Sequence, residues 1–494
     1  MDSDSKPTSA KYSSTTDQPR LSVPFKLLYG SGDGGRASFN TFRQIFYAIF
    51  LTDVVGIDPR LASLAALVSI IWDAINDPIV GSLSDNVRTR WGRRRPFLLI
   101  FAIPFALAFV LLWWAPPWQS QFALVFHVTL AYMVSDTIQT LITVPYLALT
   151  PEIARDYDER TSLTSFRMFF NLVASLLTAV LAPELIDYFV TSGYSLQQSY
   201  LGVAALFGGA AVIPFLLIFA FVKEKDTPPA IPAEEMTFKK TLLELWQNRP
   251  FRYATGIYVL NWIAFDVVAL MVPYFLLYWI SKGDLLAKFS LFGANISLES
   301  IVLGAIFIVA ILTLPLWNWL AKKFSKTRAY IIGAAIWAVL QLLVFLLVPD
   351  QKGFMVLLAA LIGITTSNAH IIPEAIFPDV IDWAELKTSN RREGMYYGSI
   401  HFIRKLASAV AVFLSLQALG WFGYQTPPIG TELFTQPPSA LLAIRIMTGP
   451  FITLLLLGAI YFAARYPITR TRQAQIQHSL RRRNRKNKKD NSDQ

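Results

Sequence analysis

Two aspartates stand one helical turn apart inside a long apolar segment. Residues 72–78 read WDAINDP, so a helix places Asp73, Asn76 and Asp77 on one face. An ionisable residue at membrane depth costs roughly 2.5 to 3.5 kcal/mol on insertion scales. Small hard cations prefer oxygen ligands, which two carboxylates and an amide supply. The spacing predicts a cation site; the alternative is an interhelical salt bridge or a capped helix end beside Pro78.

The surrounding chain has the composition of a membrane protein. It is 54% hydrophobic over 494 residues, with a mean hydropathy of +0.44. Helices are favoured because every backbone polar group in lipid needs a partner within its own segment. We therefore predict an all-α protein. Its twelve spans lie near 38–57, 61–84, 97–114, 122–149, 162–183, 200–222, 252–279, 299–320, 329–347, 354–373, 396–419 and 440–464.

The charges of the connecting loops indicate an orientation. Most connections after even-numbered spans are basic, whereas those after odd-numbered spans are poor in Lys and Arg, except for Lys282, Lys288 and Lys352. This alternation predicts a multi-pass protein of the cell membrane with both termini in the cytoplasm. The net charge of +11 owes much to seven basic residues in 481–489. We expect that tail to contact anionic membrane lipid rather than nucleic acid.

The longest internal connection divides the chain into two halves. We expect a polar tail at 1–35, a six-helix bundle at 36–222, a linker at 223–250, a second six-helix bundle at 251–465 and a basic tail at 466–494. The basic turn after the second span has a weaker counterpart after the eighth, which indicates a repeat. Such pseudo-symmetric bundles are typical of transporters that bind solute near the midplane, and we expect a functional monomer.

Several function classes lack their motifs in this sequence. The chain has no cysteine, four histidines, and neither an H-E-x-x-H nor a G-x-S-x-G motif, which argues against a membrane enzyme. It also lacks the Gly-Lys-[Ser/Thr] of a phosphate-binding loop, which argues against an ATP-driven pump. We expect no cofactor other than a coupling ion, Na+ or H+.

Four segments give the chain a resemblance to a known family. They read TDVVG at 52–56, WDAINDP at 72–78, RWGRRRP at 90–96 and PDVIDW at 378–383. The chain resembles the glycoside-pentoside-hexuronide:cation symporters, the melibiose permease-like family of the major facilitator superfamily, from residue 29 to 424. The resemblance implies the major facilitator fold and cation-coupled symport of a sugar or related polar solute by alternating access.

The resemblance also implies a set of cation ligands and a nearby lysine. The family's paired acids correspond to Asp73 and Asp77, the amide between them to Asn76, and the hydroxyl of the fourth span to Thr140. The retention of all four oxygen positions favours Na+, although H+ can use the same acids. The family's lysine of the eleventh span falls on Lys405. It is either the charge partner of the acids while the cation is absent, or a side chain that snorkels to the interface.

The solute positions depart from the melibiose permease pattern. The sugar-binding acids of those permeases are matched here by Ala37 and Thr143, and an aromatic residue of the tenth span is matched by His370. The family's arginine of the fifth span falls on Arg167. A galactoside is therefore not the expected solute. The alternatives are a carrier of a non-sugar solute, such as a lysolipid or an organic anion, and a proton-driven exporter.

Other polar residues within the spans are candidate solute contacts. In the first span Asn40 and Gln44 share a face, and Arg43 either binds an anionic solute or pairs with an acid. Asp266 in the seventh span belongs either to the pore or to an interhelical hydrogen bond. His370 is either a proton-sensitive contact or a satisfied interior histidine.

Charged turns on the predicted cytoplasmic side are candidates for a gate. Ion pairs between the halves would close that side and break as the halves rock. The alternative is that these residues only fix the topology. The candidates are Asp85, Arg93, Arg94 and Arg95 after the second span, with Asp379, Asp382 and Arg392 after the tenth.

Overall fold

The first half of the chain forms a bundle of long helices. The computed structural model describes residues 21–154, 157–224, 245–291, 293–388, 393–428 and 433–490, so residues 1–20, most of the predicted linker and Arg392 lie outside it. The helices of this half are α1 (Val23–Ile49), continued by a π-helical turn (Phe50–Val54), α2 (Pro59–Asn86), α3 (Arg95–Leu112), α4 (Gln121–Ile153), α5 (Tyr157–Thr191) and α6 (Leu196–Phe221).

The second half repeats this arrangement and adds a hairpin. A short antiparallel ribbon, β1 (Lys288–Leu291) and β2 (Ala294–Ser297), pairs Lys288 with Ser297. The helices are α7 (Arg249–Tyr274), continued by a π-helical turn (Phe275–Ile280), α8 (Leu298–Lys323), α9 (Lys326–Leu346), α10 (Lys352–Thr388), α11 (Glu393–Trp421), α12 (Pro438–Thr448), α13 (Pro450–Ala464) and α14 (Arg470–Asp490).

Eleven segments of the described chain are long and apolar enough to cross a membrane: α2 to α11 and the α12–α13 pair. Helix α1 is not among these segments, since it carries polar and charged residues along its length, yet about half of its residues are buried in the bundle. It begins at Val23, well before the predicted span at 38–57. The burial is tolerated because Asp33 accepts hydrogen bonds from Arg36 and Arg167, both at 2.7 Å.

Small residues let α1 lie close to its neighbours. A Cβ on Gly35 would come within 2.5 Å of the Ala211 Cβ on α6, and one on Gly30 would come within 3.0 Å of the Phe166 backbone on α5. Backbones in membranes approach closely at such positions. The α1 register, and with it the depth of every polar residue on α1, is therefore fixed by packing.

The two sides of the bundle differ in how the halves meet. Helix α1 begins and α13 ends on the same side of the bundle, which we call the terminal side; the other is the far side. On the far side, Asp53 at the end of α1 accepts hydrogen bonds from Tyr424 at 2.5 Å and from Tyr278. Gln417 on α11 donates to Ser63 on α2 at 2.9 Å. The halves are thus tied together there.

Helix α14 extends the second half along the terminal side. Gln473 donates to Asp382 at 2.9 Å, and Arg483 pairs with Glu385 at 3.2 Å, both at the end of α10. Ile476 and Leu480 are buried. The segment predicted as a basic tail therefore contains a helix that is attached to α10.

Candidate functional site

The acidic face of α2 meets a lysine from the other half. Lys405 on α11 places its Nζ 2.8 Å from Asp73 Oδ2 and 2.5 Å from Asp77 Oδ2. The three residues lie near the middle of their helices, so the contact is at the midplane. Their side chains are 26%, 20% and 41% exposed, respectively. One ammonium group thus bridges both carboxylates while the site remains accessible.

Further oxygen ligands surround the same face. The Thr140 hydroxyl on α4 donates to Asp77 Oδ1 at 3.3 Å. Asn76 is buried, and its amide nitrogen has no partner among the described residues. A flip of that amide would present an acceptor oxygen at the same position. Pro78 has no N–H to bond the Ala74 carbonyl one turn earlier. The donor set suits a small cation with oxygen ligands.

A third carboxylate, not identified from the sequence, borders this site. Asp136 on α4 is 2% exposed and accepts from Arg43 at 3.3 Å. Its other carboxylate oxygen, Oδ2, is buried without a partner among the described residues. Arg43 thus pairs with an acid in this structure, which is one of the two alternatives that the sequence left open, and it also donates to the Asn40 side chain at 3.4 Å. The sequence signal was present, because Asp136 precedes Thr140 by four residues and shares its helix face.

Asp266 joins the halves beside the cation face. Its two carboxylate oxygens accept from the Gln44 amide at 3.0 Å and from the Ser408 hydroxyl at 2.6 Å. Gln44 is on α1 in the first half, whereas Asp266 on α7 and Ser408 on α11 both belong to the second half. The bond from Gln44 therefore crosses from one half to the other. The sequence left two interpretations of Asp266 open, a pore residue or a partner in an interhelical hydrogen bond. This geometry corresponds to the second.

An aromatic and polar wall from the second half lies next to this junction. His370 Nδ1 is 3.0 Å from the Thr366 carbonyl, and its ring packs edge-on against Trp262 and Phe265. The Tyr258 hydroxyl donates to Glu374 at 3.2 Å. We call this wall the α7–α11 cluster, and its members are Tyr258, Trp262, Phe265, His370, Glu374 and Arg404.

Two of the predicted solute residues have other surroundings. Arg167 is buried in an ion pair with Asp33, and its Nη1 also donates to Thr150 at 3.1 Å. Asp33 lies two to three helical turns before Arg43, towards the terminal side, so the structure does not bring Arg167 to the cation face. Thr143 lies one turn beyond Thr140, and its hydroxyl is buried without a partner among the described residues.

The contacts described for five of the predicted gate residues lie within their own halves. Arg93 and Arg94 contact Glu152 on α4 at 2.8 and 3.2 Å. Asp379 contacts Lys326 on α9 at 2.7 Å. Arg95 donates to the Phe219 carbonyl, and Asp382 accepts from α14; the Asp85 side chain and Arg392 lie outside the described residues. Ion pairs between the halves therefore stay a prediction for a state closed on the terminal side.

Comparison with known sequences gives one family match and several relatives. The model of the MFS/sugar transport protein family matches residues 28–470. An uncharacterized symporter of Synechocystis sp. is 30% identical, over 95% of this chain and 98% of the relative. The sodium-dependent lysophosphatidylcholine symporter 1 of Gallus gallus is 27% identical, over 93% of this chain and 89% of the relative.

Comparison with solved structures shows the fold. A bacterial homologue of the human drug peptide transporters PepT1 and PepT2 aligns with a TM-score of 0.61 and 12% identity, over 92% of this chain and 97% of the other. The nucleoside transporter NupG aligns with a TM-score of 0.62 and 11% identity, over 88% and 98%. The predicted major facilitator fold and the family resemblance are confirmed.

Proposed function

The chain belongs to the MFS/sugar transport protein family, and on that premise we propose that it couples Na+ or H+ to the movement of a sugar or related polar solute. Membership makes it a multi-pass membrane transporter and confirms that it is not an enzyme. Its relatives are symporters, so a small-molecule solute and a coupling cation are its ligands. The identity of both is our proposal.

The contact of Lys405 with Asp73 and Asp77 carries this proposal. Two carboxylates at the midplane are tolerated because an ammonium group from the opposite half neutralises them. A cation from solution that binds Asp73, Asn76, Asp77 and Thr140 would supply the same charge and release Lys405. Occupancy of the site would then change the free energy of contact between the two halves, which is the requirement for coupling.

The solute is proposed to bind beside the cation, between the halves. Cation binding lowers the electrostatic cost of the acidic face and raises the affinity for solute, and the solute must tighten the cation by the same factor. The proposed solute contacts are Asn40, Arg43, Gln44, Thr143, Asp266, His370 and Lys405, and Arg167 stays a prediction of the resemblance alone. The two halves would rock about this centre, the first beginning at Val23 rather than at residue 36, and the second extended by α14.

The orientation in the membrane is also proposed. The basic loops support a terminal side in the cytoplasm and location in the cell membrane, with both termini inside. The far-side hydrogen bonds of Asp53 support a state that is closed to the outside. In the opposite state, the arginines after α2 and the acids at the end of α10 would form the gate on the terminal side.

A second candidate function is transport of a lysolipid. It is favoured by the similarity to a sodium-dependent lysophosphatidylcholine symporter and by the absence of acids at Ala37 and Thr143. The cation site would be the same, and only the solute would differ. Direction of transport is a separate property, so a proton-driven exporter would use the same acids with the opposite flux.

The cation site is tested with Asp77→Asn, which removes the charge at nearly constant shape. Purified protein is heated in NaCl and in choline chloride of equal ionic strength to test for Na+ binding. In a separate experiment, counterflow of labelled sugars and of lysophosphatidylcholine in proteoliposomes distinguishes the two candidate solutes. We expect NaCl to raise the unfolding midpoint of the unmodified protein but not of Asp77→Asn. The matched control is Asp350→Asn, which removes an exposed partner of Lys282. Equal Na+ shifts in both variants would disprove the site.

A further inference from the structure

Arg404 is a charged residue at the level of the midplane. It neighbours Lys405 on α11, but it forms no ion pair or hydrogen bond among the described residues, and its Nε is buried without an acceptor. An unpaired guanidinium inside a membrane protein is costly and typically marks a solute path. The neighbouring lysine, by contrast, has two carboxylate partners.

The guanidinium is held by stacking rather than by ion pairing. Its central carbon lies 4.0 Å from the centroid of the Trp262 ring. A stacked guanidinium keeps its N–H groups directed outwards in its own plane, where they match the two oxygens of a carboxylate or phosphate. The ring thus orients the group and leaves its strongest hydrogen-bonding edge available.

The acids of the neighbourhood are already engaged. Asp266 has both oxygens occupied by Gln44 and Ser408, and Glu374 accepts from Tyr258. Glu374 is also exposed at its position on α10. The α7–α11 cluster therefore presents an unused donor, Arg404, and an accessible acceptor, Glu374, on one wall.

We propose that Arg404, oriented by Trp262, binds an oxyanion group of the transported solute, with Glu374 accepting a hydrogen bond from another group of that solute. The oxyanion is a carboxylate or a phosphate, borne by a water-soluble molecule or by a lipid headgroup. This inference rests on the proposed transport function and names the chemical class of its solute. Lys405 is paired with Asp73 and Asp77 in this structure, so it is Arg404 that we assign to the oxyanion.

The test compares pairs of probes that differ in the oxyanion. Binding to the purified full chain in NaCl is measured by calorimetry for glucuronate against glucose, glycerol 3-phosphate against glycerol, and lysophosphatidylcholine against monoacylglycerol. We expect the oxyanion member of at least one pair to bind roughly tenfold to a hundredfold tighter, the range given by charged hydrogen bonds. The pair that shows it identifies the source of the oxyanion.

Substitutions then assign the preference to Arg404. Arg404→Gln should abolish it, and Arg404→Lys should retain part of it. The matched control is Arg465→Gln, because Arg465 also stacks on an aromatic ring, Tyr461 at 4.6 Å, but at the surface. Failure of the unmodified protein to prefer any oxyanion, or the same preference in Arg404→Gln, would overturn the assignment.

One structural alternative and the cation site are checked in the same protein. The alternative is that Arg404 only neutralises Asp266. Arg404→Gln would then lower the unfolding midpoint, and the double variant with Asp266→Asn would regain it. If the oxyanion preference also remained in that double variant, the proposal would be overturned. The shift of the unfolding midpoint that Na+ causes should be the same in Arg404→Gln as in the unmodified protein. Absence of a Na+ shift in the unmodified protein would count against Na+ as the coupling ion of the proposed function and would leave the assignment of Arg404 unaffected.

Discussion

Two clusters in the first half contain the same residue types but differ in their partners. Asp33 is fully buried and pairs with Arg36 and Arg167, all within the first half. Asp73 and Asp77 are partly exposed and share Lys405, which belongs to the second half. A pair within one rigid body can only stabilise it. A pair across two bodies that is accessible to solvent can be exchanged for a cation and thereby move them.

Among substitutions that test the difference between the two clusters, Asp33→Asn is expected to have the largest effect, a loss of stability. It leaves Arg167 and Arg36 without their buried carboxylate, and breaking such a pair costs about 3 to 5 kcal/mol. Thermal unfolding in detergent should show this loss, while the protein that remains folded keeps its Na+ response. The control is Asp350→Asn, which breaks an exposed ion pair and should change the unfolding midpoint little. If Asp33→Asn changed the midpoint no more than this control, the Asp33 cluster could not be called the stabilising one.

Lys405→Gln is expected to have the next largest effect, on ion affinity. Without the resident ammonium group, Na+ no longer has to displace a competitor, so its apparent affinity should rise roughly tenfold, or about 1.4 kcal/mol. The variant should also be less stable in choline chloride than in NaCl. Sodium titration by calorimetry measures the change, and Lys405→Arg is the charge-retaining control. Weaker Na+ binding in Lys405→Gln would contradict the exchange.

Matched threonines of the two clusters should separate ion binding from stability. Thr140→Val removes the hydroxyl beside Asp77 and should weaken Na+ binding by about 1 kcal/mol, or roughly fivefold. Thr150→Val removes the hydroxyl that Arg167 and Tyr29 contact, and it should lower the unfolding midpoint without changing Na+ affinity. If Thr150→Val weakened Na+ binding and Thr140→Val lowered only the unfolding midpoint, the assignment of ion binding to the Asp73–Asp77 cluster would be wrong. Titration and thermal unfolding of both variants give the comparison.

The smallest effect is expected for Tyr424→Phe on the far side. It removes one of two phenols from Asp53, about 0.5 to 1.5 kcal/mol, and should shift the population towards a state open on that side. The rate of thiol labelling of Asn40→Cys from the far side measures this shift, since the chain has no other cysteine. Tyr29→Phe, which loses hydrogen bonds within the first half alone, should leave the rate unchanged.

The sequence predicted the elements better than their partners. Hydropathy and loop charge located most spans, and a spacing of four residues put Asp73 and Asp77 on one face. The predicted first span begins too late because the charged first half of α1 has the composition of a loop. The structure shows that Arg167, 134 positions away, neutralises Asp33 and so allows this half to be buried. Hydropathy measures one segment at a time, whereas burial of a charge depends on another segment.

The same limit applies to the candidate site. Lys405 was identified through the family resemblance, but its simultaneous contact with both acids, across 328 positions from Asp77, is a property of the fold. Asp136 shares a helix face with Thr140 and could have been found by the spacing rule. Arg404 could not, because an unpaired arginine is recognised only when the surrounding acids are seen to be occupied by other donors.

The attachment of α14 to α10 makes the proposed rocking of the two halves measurable by spectroscopy. Through Gln473, Arg483 and its two buried aliphatic residues, α14 must travel with the second half. A spin label or dye at the exposed position Arg482 therefore reports that half, and one at exposed Arg88, in the turn after α2, reports the other. Because the native chain carries no thiol, two cysteine substitutions suffice to follow the width of the terminal-side opening during turnover.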